Sequence, residues 1–144
     1  MKQFLTALCL LATATLSAHQ GVELGPSGGR ILEFSKNETL HGEVTAKDGS
    51  FHVALLDKDM KPMTITDQSL TATKGDRKNP EKLAVEVKDN HFVLPMPKGE
   101  DYFVIFQFRP SAKGRAITAR LHYDAANCSK CDQPEWLCAC GAKK

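Results

Sequence analysis

Four of the five cysteines lie within the last seventeen residues of this 144-residue chain, as Cys128-Ser-Lys-Cys131 and Cys138-Ala-Cys140. A Cys-x-x-Cys turn presents two sulfurs on one side of a tight loop, and a second pair shortly afterwards can complete a tetrahedral four-thiolate site. Soft sulfur ligands select Zn(II) or Cu(I), and the sequence does not discriminate between these two ions. The spacing therefore predicts a soft-metal site made of Cys128, Cys131, Cys138 and Cys140.

Two other kinds of chemistry are open to the same thiols. Outside the cytoplasm cysteines oxidise to disulfides by default, and four cysteines allow three pairings. A Cys138–Cys140 bond would close a very small, strained ring, whereas crossed pairing would staple the segment without strain. Thiol redox chemistry is a third hypothesis, although Cys-x-x-Cys oxidoreductases place the motif at the start of a helix in an α/β fold. Metal site, disulfide staple and redox centre all remain open at this point.

Two residues are weaker candidates for the metal site. Trp136, the only tryptophan, lies between the two cysteine pairs. It could place its π face over a soft cation, or it could simply pack the loop onto the rest of the domain. If a leader is removed after Ala18, His19 becomes the first residue, and its amine and imidazole form a chelate suited to Cu(II).

The N-terminus is typical of a secretory signal peptide. One early lysine, an apolar stretch too short to span a bilayer, and a small residue at its end favour cleavage after Ala18, with cleavage after Ala14 as the alternative. Cys9 lies inside this stretch and would leave with it. We therefore expect an exported protein, periplasmic or secreted, in which residues 1–18 are the signal peptide.

Composition limits the partners of the remaining chain, whose length suits one domain. The net charge of +2 for the whole chain falls to +1 without Lys2, the single charged residue of the leader. Such a nearly neutral net charge does not indicate nucleic acid or an anionic membrane as partner. No second apolar run is long enough to cross a membrane. No hydrolase, zinc-protease or phosphate-loop motif is present. The sequence predicts a non-catalytic monomer or weakly associating protein.

The elements that must position the cysteines are predicted to be strands. From Arg30 onward, short runs with period-two alternation recur between turn signals, which favours an all-β, antiparallel β-sandwich, immunoglobulin-like in the broad sense, over a small barrel. A glycine-rich segment (19–29) leads into this sandwich (30–123), and a cysteine-rich module (124–144) follows as an addition to it, with one helical turn at 134–137. The predicted strands are Arg30–Phe34, His41–Lys47, Phe51–Asp57, Ser69–Lys74, Lys82–Lys88, His91–Leu94, Asp101–Arg109 and Arg115–Tyr123.

Turn residues and alternation add detail to these strands. Lys47-Asp48-Gly49-Ser50 and Lys88-Asp89-Asn90 are predicted hairpin turns. Alternation predicts that Phe51, Val53 and Leu55 face the core in one strand and that Leu83, Val85 and Val87 face it in another. In Asp101–Arg109 it places Tyr102, Val104, Phe106 and Phe108 on one face and the intervening residues on the other.

The opening Gly25-Pro-Ser-Gly-Gly-Arg-Ile-Leu-Glu33 resembles the start of a small β-domain in periplasmic adaptor subunits of heavy-metal efflux pumps. Combined with the Cys-x-x-Cys…Glu-Trp-x-Cys-x-Cys ending, it is similar to small exported bacterial proteins of uncharacterised function. The resemblance implies an exported accessory to metal handling, with an efflux system or another periplasmic protein as partner. The chain lacks the long helical hairpin and lipoyl-like domain of a complete adaptor.

Overall fold

The computed structural model describes residues 22–75 and 78–141, in which nine strands form two antiparallel sheets. The first sheet has the order β1-β2-β3-β7-β6 and the second the order β5-β4-β8-β9. The predicted all-β, antiparallel sandwich is therefore confirmed. The strands are β1 (Arg30–Glu33), β2 (Leu40–Lys47), β3 (Ser50–Asp57), β4 (Ser69–Lys74), β5 (Glu81–Leu83), β6 (Glu86–Lys88), β7 (His91–Pro95), β8 (Asp101–Arg109) and β9 (Ile117–Asp124).

The hydrophobic core lies between the two sheets and follows the predicted alternation. In β8, every second side chain from Tyr102 to Phe108 is buried, while the intervening positions face outward. In β3, Phe51, Val53 and Leu55 are likewise buried, as expected. Phe34 stacks on Phe108 with the ring centroids 4.6 Å apart, which joins the two sheets across the core.

The predicted strand Lys82–Lys88 is wrong as a single element. The chain leaves the second sheet after β5 and enters the first sheet at β6, so the two halves of the segment pair with different partners. Leu83 faces the core as expected, but Val87 lies on an edge strand and is 58% exposed. Period-two alternation reports only which residues share a face, so it does not show a change of sheet within the run.

Two tight hairpins were predicted correctly and fix the strand register. Asp48 and Gly49 have φ values of 50° and 72° in the β2–β3 turn, and Asp89 and Asn90 have 49° and 60° in the β6–β7 turn. Positive φ at both central residues is the geometry that matches the twist of a two-residue hairpin. In the part of the chain that the structure describes, no helix is long and apolar enough to cross a membrane.

Candidate metal site

The structure brings the four predicted cysteines together. Their Sγ atoms all lie within 4.8 Å of one another, and those of Cys131 and Cys138 are 3.6 Å apart. A tetrahedral zinc site with Zn–S bonds of about 2.3 Å separates its sulfurs by about 3.8 Å, whereas a disulfide needs about 2.05 Å. The four thiols are free, and their spacing is close to that of a four-thiolate metal site.

A compact loop places the first pair of cysteines. The Cys128 amide donates to the Gln133 carbonyl at 2.7 Å, and the Asp132 amide donates back to the Cys128 carbonyl at 3.1 Å. Asp132 adopts a left-handed conformation with φ of 55°, which aspartate tolerates better than most residues. An isolated bridge between Asn127 and Pro134 closes the loop. The chain therefore folds back on itself and turns both thiols of this pair toward the segment that follows.

A single 3₁₀ turn, Glu135–Leu137, then positions the second pair. The Glu135 amide donates to the Ala126 carbonyl at 2.8 Å, and the Cys138 amide donates to the Glu135 carbonyl at 3.1 Å. The predicted helical turn is thus present, and it returns the chain to the first cysteine pair.

The four thiols differ in their access to solvent. Cys128 and Cys138 are only 7% and 9% exposed, whereas Cys131 is half-buried and Cys140 is exposed. An ion held by this set would be shielded by the domain on one side and open to solution on the other. This arrangement is compatible with an ion that enters and leaves without unfolding of the sandwich.

The pKa of Cys128 is lowered, whereas the pKa values of Cys138 and Cys140 are raised. The backbone amide of Lys130 and a hydrogen bond from Cys138 lower the pKa of Cys128 to about 7. The thiols of Cys131 and Cys138 raise the pKa of Cys140 to about 12. The backbone amide of Cys140 lowers the pKa of Cys138, but the neighbouring thiols and burial outweigh it, so the pKa of Cys138 is raised. The Cys128 thiolate therefore forms near neutral pH, whereas the neighbouring thiols and burial oppose ionisation of Cys138 and Cys140.

Trp136 joins the cysteine segment to the sandwich. Its side chain is 5% exposed and belongs to the same core cluster as the strands. The indole meets Phe51 edge-on at 5.9 Å and Tyr123 at 5.4 Å between ring centroids. These contacts match the packing alternative for Trp136, and its role as a cation–π cap stays a prediction. The cysteine segment therefore shares the hydrophobic core of the sandwich through Trp136, so it packs more closely with the sandwich than an added module would.

Sequence reasoning missed the buried carboxylate of Glu43. This side chain is 1% exposed, and its Oε1 accepts hydrogen bonds from the amides of Ser27 at 2.7 Å and Gly29 at 3.0 Å. A Cβ on Gly25 would lie 2.6 Å from the Glu43 carboxyl carbon, so the loop can approach only because it carries glycine there. A glutamate beside Val44 in β2, combined with a glycine-rich segment able to approach it closely, was the available signal.

A second group with metal-ligand chemistry is accounted for by protein contacts. Ligand atoms of Asp101, His122 and Asp124 lie within 4.8 Å of one another. His122 Nε2 lies 2.7 Å from an Asp101 oxygen, and an Asp124 oxygen accepts from the Ala126 amide at 2.9 Å. Asp101 and Asp124 face each other across the β8–β9 pair, and the His122 ring contacts the Asp101 carboxylate. These partners explain the geometry without a cation.

Two of the sequence predictions fall on residues outside the described part of the chain. These residues are His19 and the predicted signal peptide (1–18). Copper binding at His19 and export of the protein therefore stay predictions.

Comparison with known proteins identifies no relative. No protein-family model matches the chain, and neither curated proteins nor solved structures include a significant match. The resemblance to efflux-pump adaptor subunits thus remains an expectation from the residues alone, and the thiol cluster is the feature from which a function must be argued.

Proposed function

We propose that this protein binds a soft metal ion, Zn(II) or Cu(I), through Cys128, Cys131, Cys138 and Cys140. The observation that carries this proposal is the convergence of four free thiols within 4.8 Å of one another. Thiolate ligands in this number and spacing suit a closed tetrahedral site. The role is binding, buffering or delivery of the ion, without catalysis.

The proposed location and partner rest on other features. The leader-like N-terminus supports export, and the opening motif supports an accessory role beside a heavy-metal efflux system or another periplasmic protein. The exposed Cys140 and half-buried Cys131 support delivery, because an incoming thiol or thioether can reach the ion on that side. We propose that the protein acts as a monomer.

Metal titration of the purified, reduced protein tests the proposal. Zn(II) and, in a separate experiment, Co(II) are added to wild type and to the double variant Cys138→Ser/Cys140→Ser. We expect one equivalent bound per chain, an intense sulfur-to-cobalt absorption in wild type, and loss of both in the double variant. Ser129→Ala lies between the cysteines of the first pair and provides a matched control that should bind as wild type does.

Two results would contradict the proposal. One is a reduced wild-type protein that takes up no metal. The other is a cysteine double variant that binds the ion with unchanged stoichiometry and absorption. If instead the non-reduced wild type is folded and metal-free while the non-reduced double variant unfolds, the four cysteines act as a disulfide staple rather than as a binding site.

A further inference from the structure

The two distinctive ends of the sequence meet in the fold. The Val22 amide donates to the Cys138 carbonyl at 3.3 Å, which links the start of the described chain to a cysteine of the cluster. The Arg30 Nη1 donates to the Trp136 carbonyl, also at 3.3 Å, across a sequence separation of 106 residues. The glycine-rich motif and the cysteine motif are therefore parts of one local structure.

The N-terminal loop, residues 22–29, is itself held firmly. Glu43 binds two of its amides, the Gly25 amide donates to the Gly29 carbonyl at 2.8 Å, and the Ile31 amide donates to the Glu23 carbonyl at 2.9 Å. A Cβ on Gly29 would lie 2.5 Å from the Val44 carbonyl oxygen, so the loop lies directly on β2. The part of the loop next to Glu43 is thus fixed on β2, whereas its Val22 end is joined to the cysteine segment.

Arg30 is placed to act on the cysteine segment. Its guanidinium is partly buried, which lowers its pKa, and among residues 22–75 and 78–141 it has no carboxylate within ion-pair distance. It lines a cavity of about 480 Å³ together with Val22, Asp124 and Trp136. Within the described chain, the side chain of Arg30 donates instead to the Trp136 carbonyl, two residues before Cys138.

We propose that Arg30 is a positioning residue for the metal site and that metal occupancy is coupled to the order of the Val22 end of the N-terminal loop. The inference rests on the proposed function. By holding the Trp136 carbonyl, Arg30 fixes the peptide that leads into Cys138, while the Val22 amide holds the Cys138 carbonyl itself. Outer contacts that orient metal ligands contribute to affinity, and such coupling is reciprocal, so a bound ion also stabilises the loop.

Zinc affinity of Arg30 variants tests the positioning role in the full chain. We expect Arg30→Ala to weaken zinc binding about tenfold, the lower end of the usual 10–100-fold effect of such contacts. Arg30→Lys retains a donor and should recover part of the loss. Arg109→Ala is the matched control, because Arg109 Nη1 also donates to a backbone carbonyl, that of Gly114 at 2.9 Å, far from the cysteines in the fold.

Amide hydrogen exchange on the wild-type protein tests the coupling without any substitution. Addition of zinc should slow exchange of the Val22 amide, whereas the Gly114 amide, which donates to Ser111 in a remote turn, should not change. The inference is overturned if the Val22 amide exchanges equally fast with and without zinc. It is also overturned if Arg30→Ala binds zinc as wild type does or if Arg109→Ala loses as much affinity.

These outcomes are distinct from a failure of the proposed function. If wild type takes up neither Zn(II) nor Cu(I), the metal site itself is refuted; if it takes up only Cu(I), the same affinity and exchange measurements are made with Cu(I). If wild type binds one equivalent and only the Arg30 and Val22 results fail, the metal site stands and the coupling is refuted.

Discussion

Replacement of Trp136 by alanine tests whether the cysteine segment is an integral part of the fold. The indole is 5% exposed and contacts Phe51 and Tyr123, so its removal leaves a cavity at the edge of the core. Buried Phe or Trp to Ala substitutions cost about 3–5 kcal/mol. Since a domain of this size is stable by about 5–15 kcal/mol, the variant should lose a large share of its stability.

Urea unfolding of reduced, metal-free protein measures this effect without a contribution from a bound ion. We expect Trp136→Ala to lower the free energy of unfolding by about 3–5 kcal/mol and Trp136→Phe, which keeps an aromatic ring, by about 1.5 kcal/mol or less. Phe103→Ala provides a matched control, because Phe103 lies on the outer face of β8 and is 41% exposed. Its effect should stay within about 1 kcal/mol.

A small effect of Trp136→Ala would refute the reasoning. If its free energy of unfolding lies within about 0.5 kcal/mol of wild type, as for ordinary surface substitutions, the cysteine segment does not share the core of the sandwich. The support proposed for Cys138 would then lack its basis.

Three further predictions concern the thiols and the packing around the core. The number of protons released on zinc binding should fall by about one as the pH rises through 7, because Cys128, with its pKa of about 7, is already ionised above that pH. Cys138 and Cys140 still carry protons there, since their pKa values are raised. Calorimetry in two buffers measures the number of protons released, and a number that does not change with pH contradicts the prediction. Gly29→Ala should cost about 2 kcal/mol in urea unfolding, because its methyl would lie 2.5 Å from a backbone carbonyl oxygen of β2; unchanged stability contradicts this close approach. Tyr102→Phe should leave thermal stability unchanged or raise it, because the buried Tyr102 hydroxyl lacks a hydrogen-bond partner within the described chain; a loss above about 1 kcal/mol contradicts this.

The sequence predicted what depends on local pattern. The alternation in β8 correctly placed Tyr102 to Phe108 at every second position on one face, and Asp48-Gly49 identified a hairpin. The clustering of the four cysteines also followed from their spacing, because short loops join them. The change of sheet within residues 82–88 could not be predicted from the sequence. It depends on the pairing of β5 with β4 and of β6 with β7, and the alternation of residues 82–88 does not specify these partners.

Contacts between distant parts of the chain could not be predicted. Nothing local to Arg30 indicates that it donates to the Trp136 carbonyl, and nothing local to Glu43 indicates that it binds the amides of the N-terminal loop. Such pairs depend on the three-dimensional placement of strands.

The mass of the intact protein under native, non-reducing conditions tests the central claim most directly. Protein taken from its own compartment should carry one zinc or copper ion and lose it, together with the metal's thiolate absorption, on treatment with a chelator. A metal-free species about four mass units lighter than the reduced chain, as two disulfides require, would contradict the metal site and favour the disulfide staple.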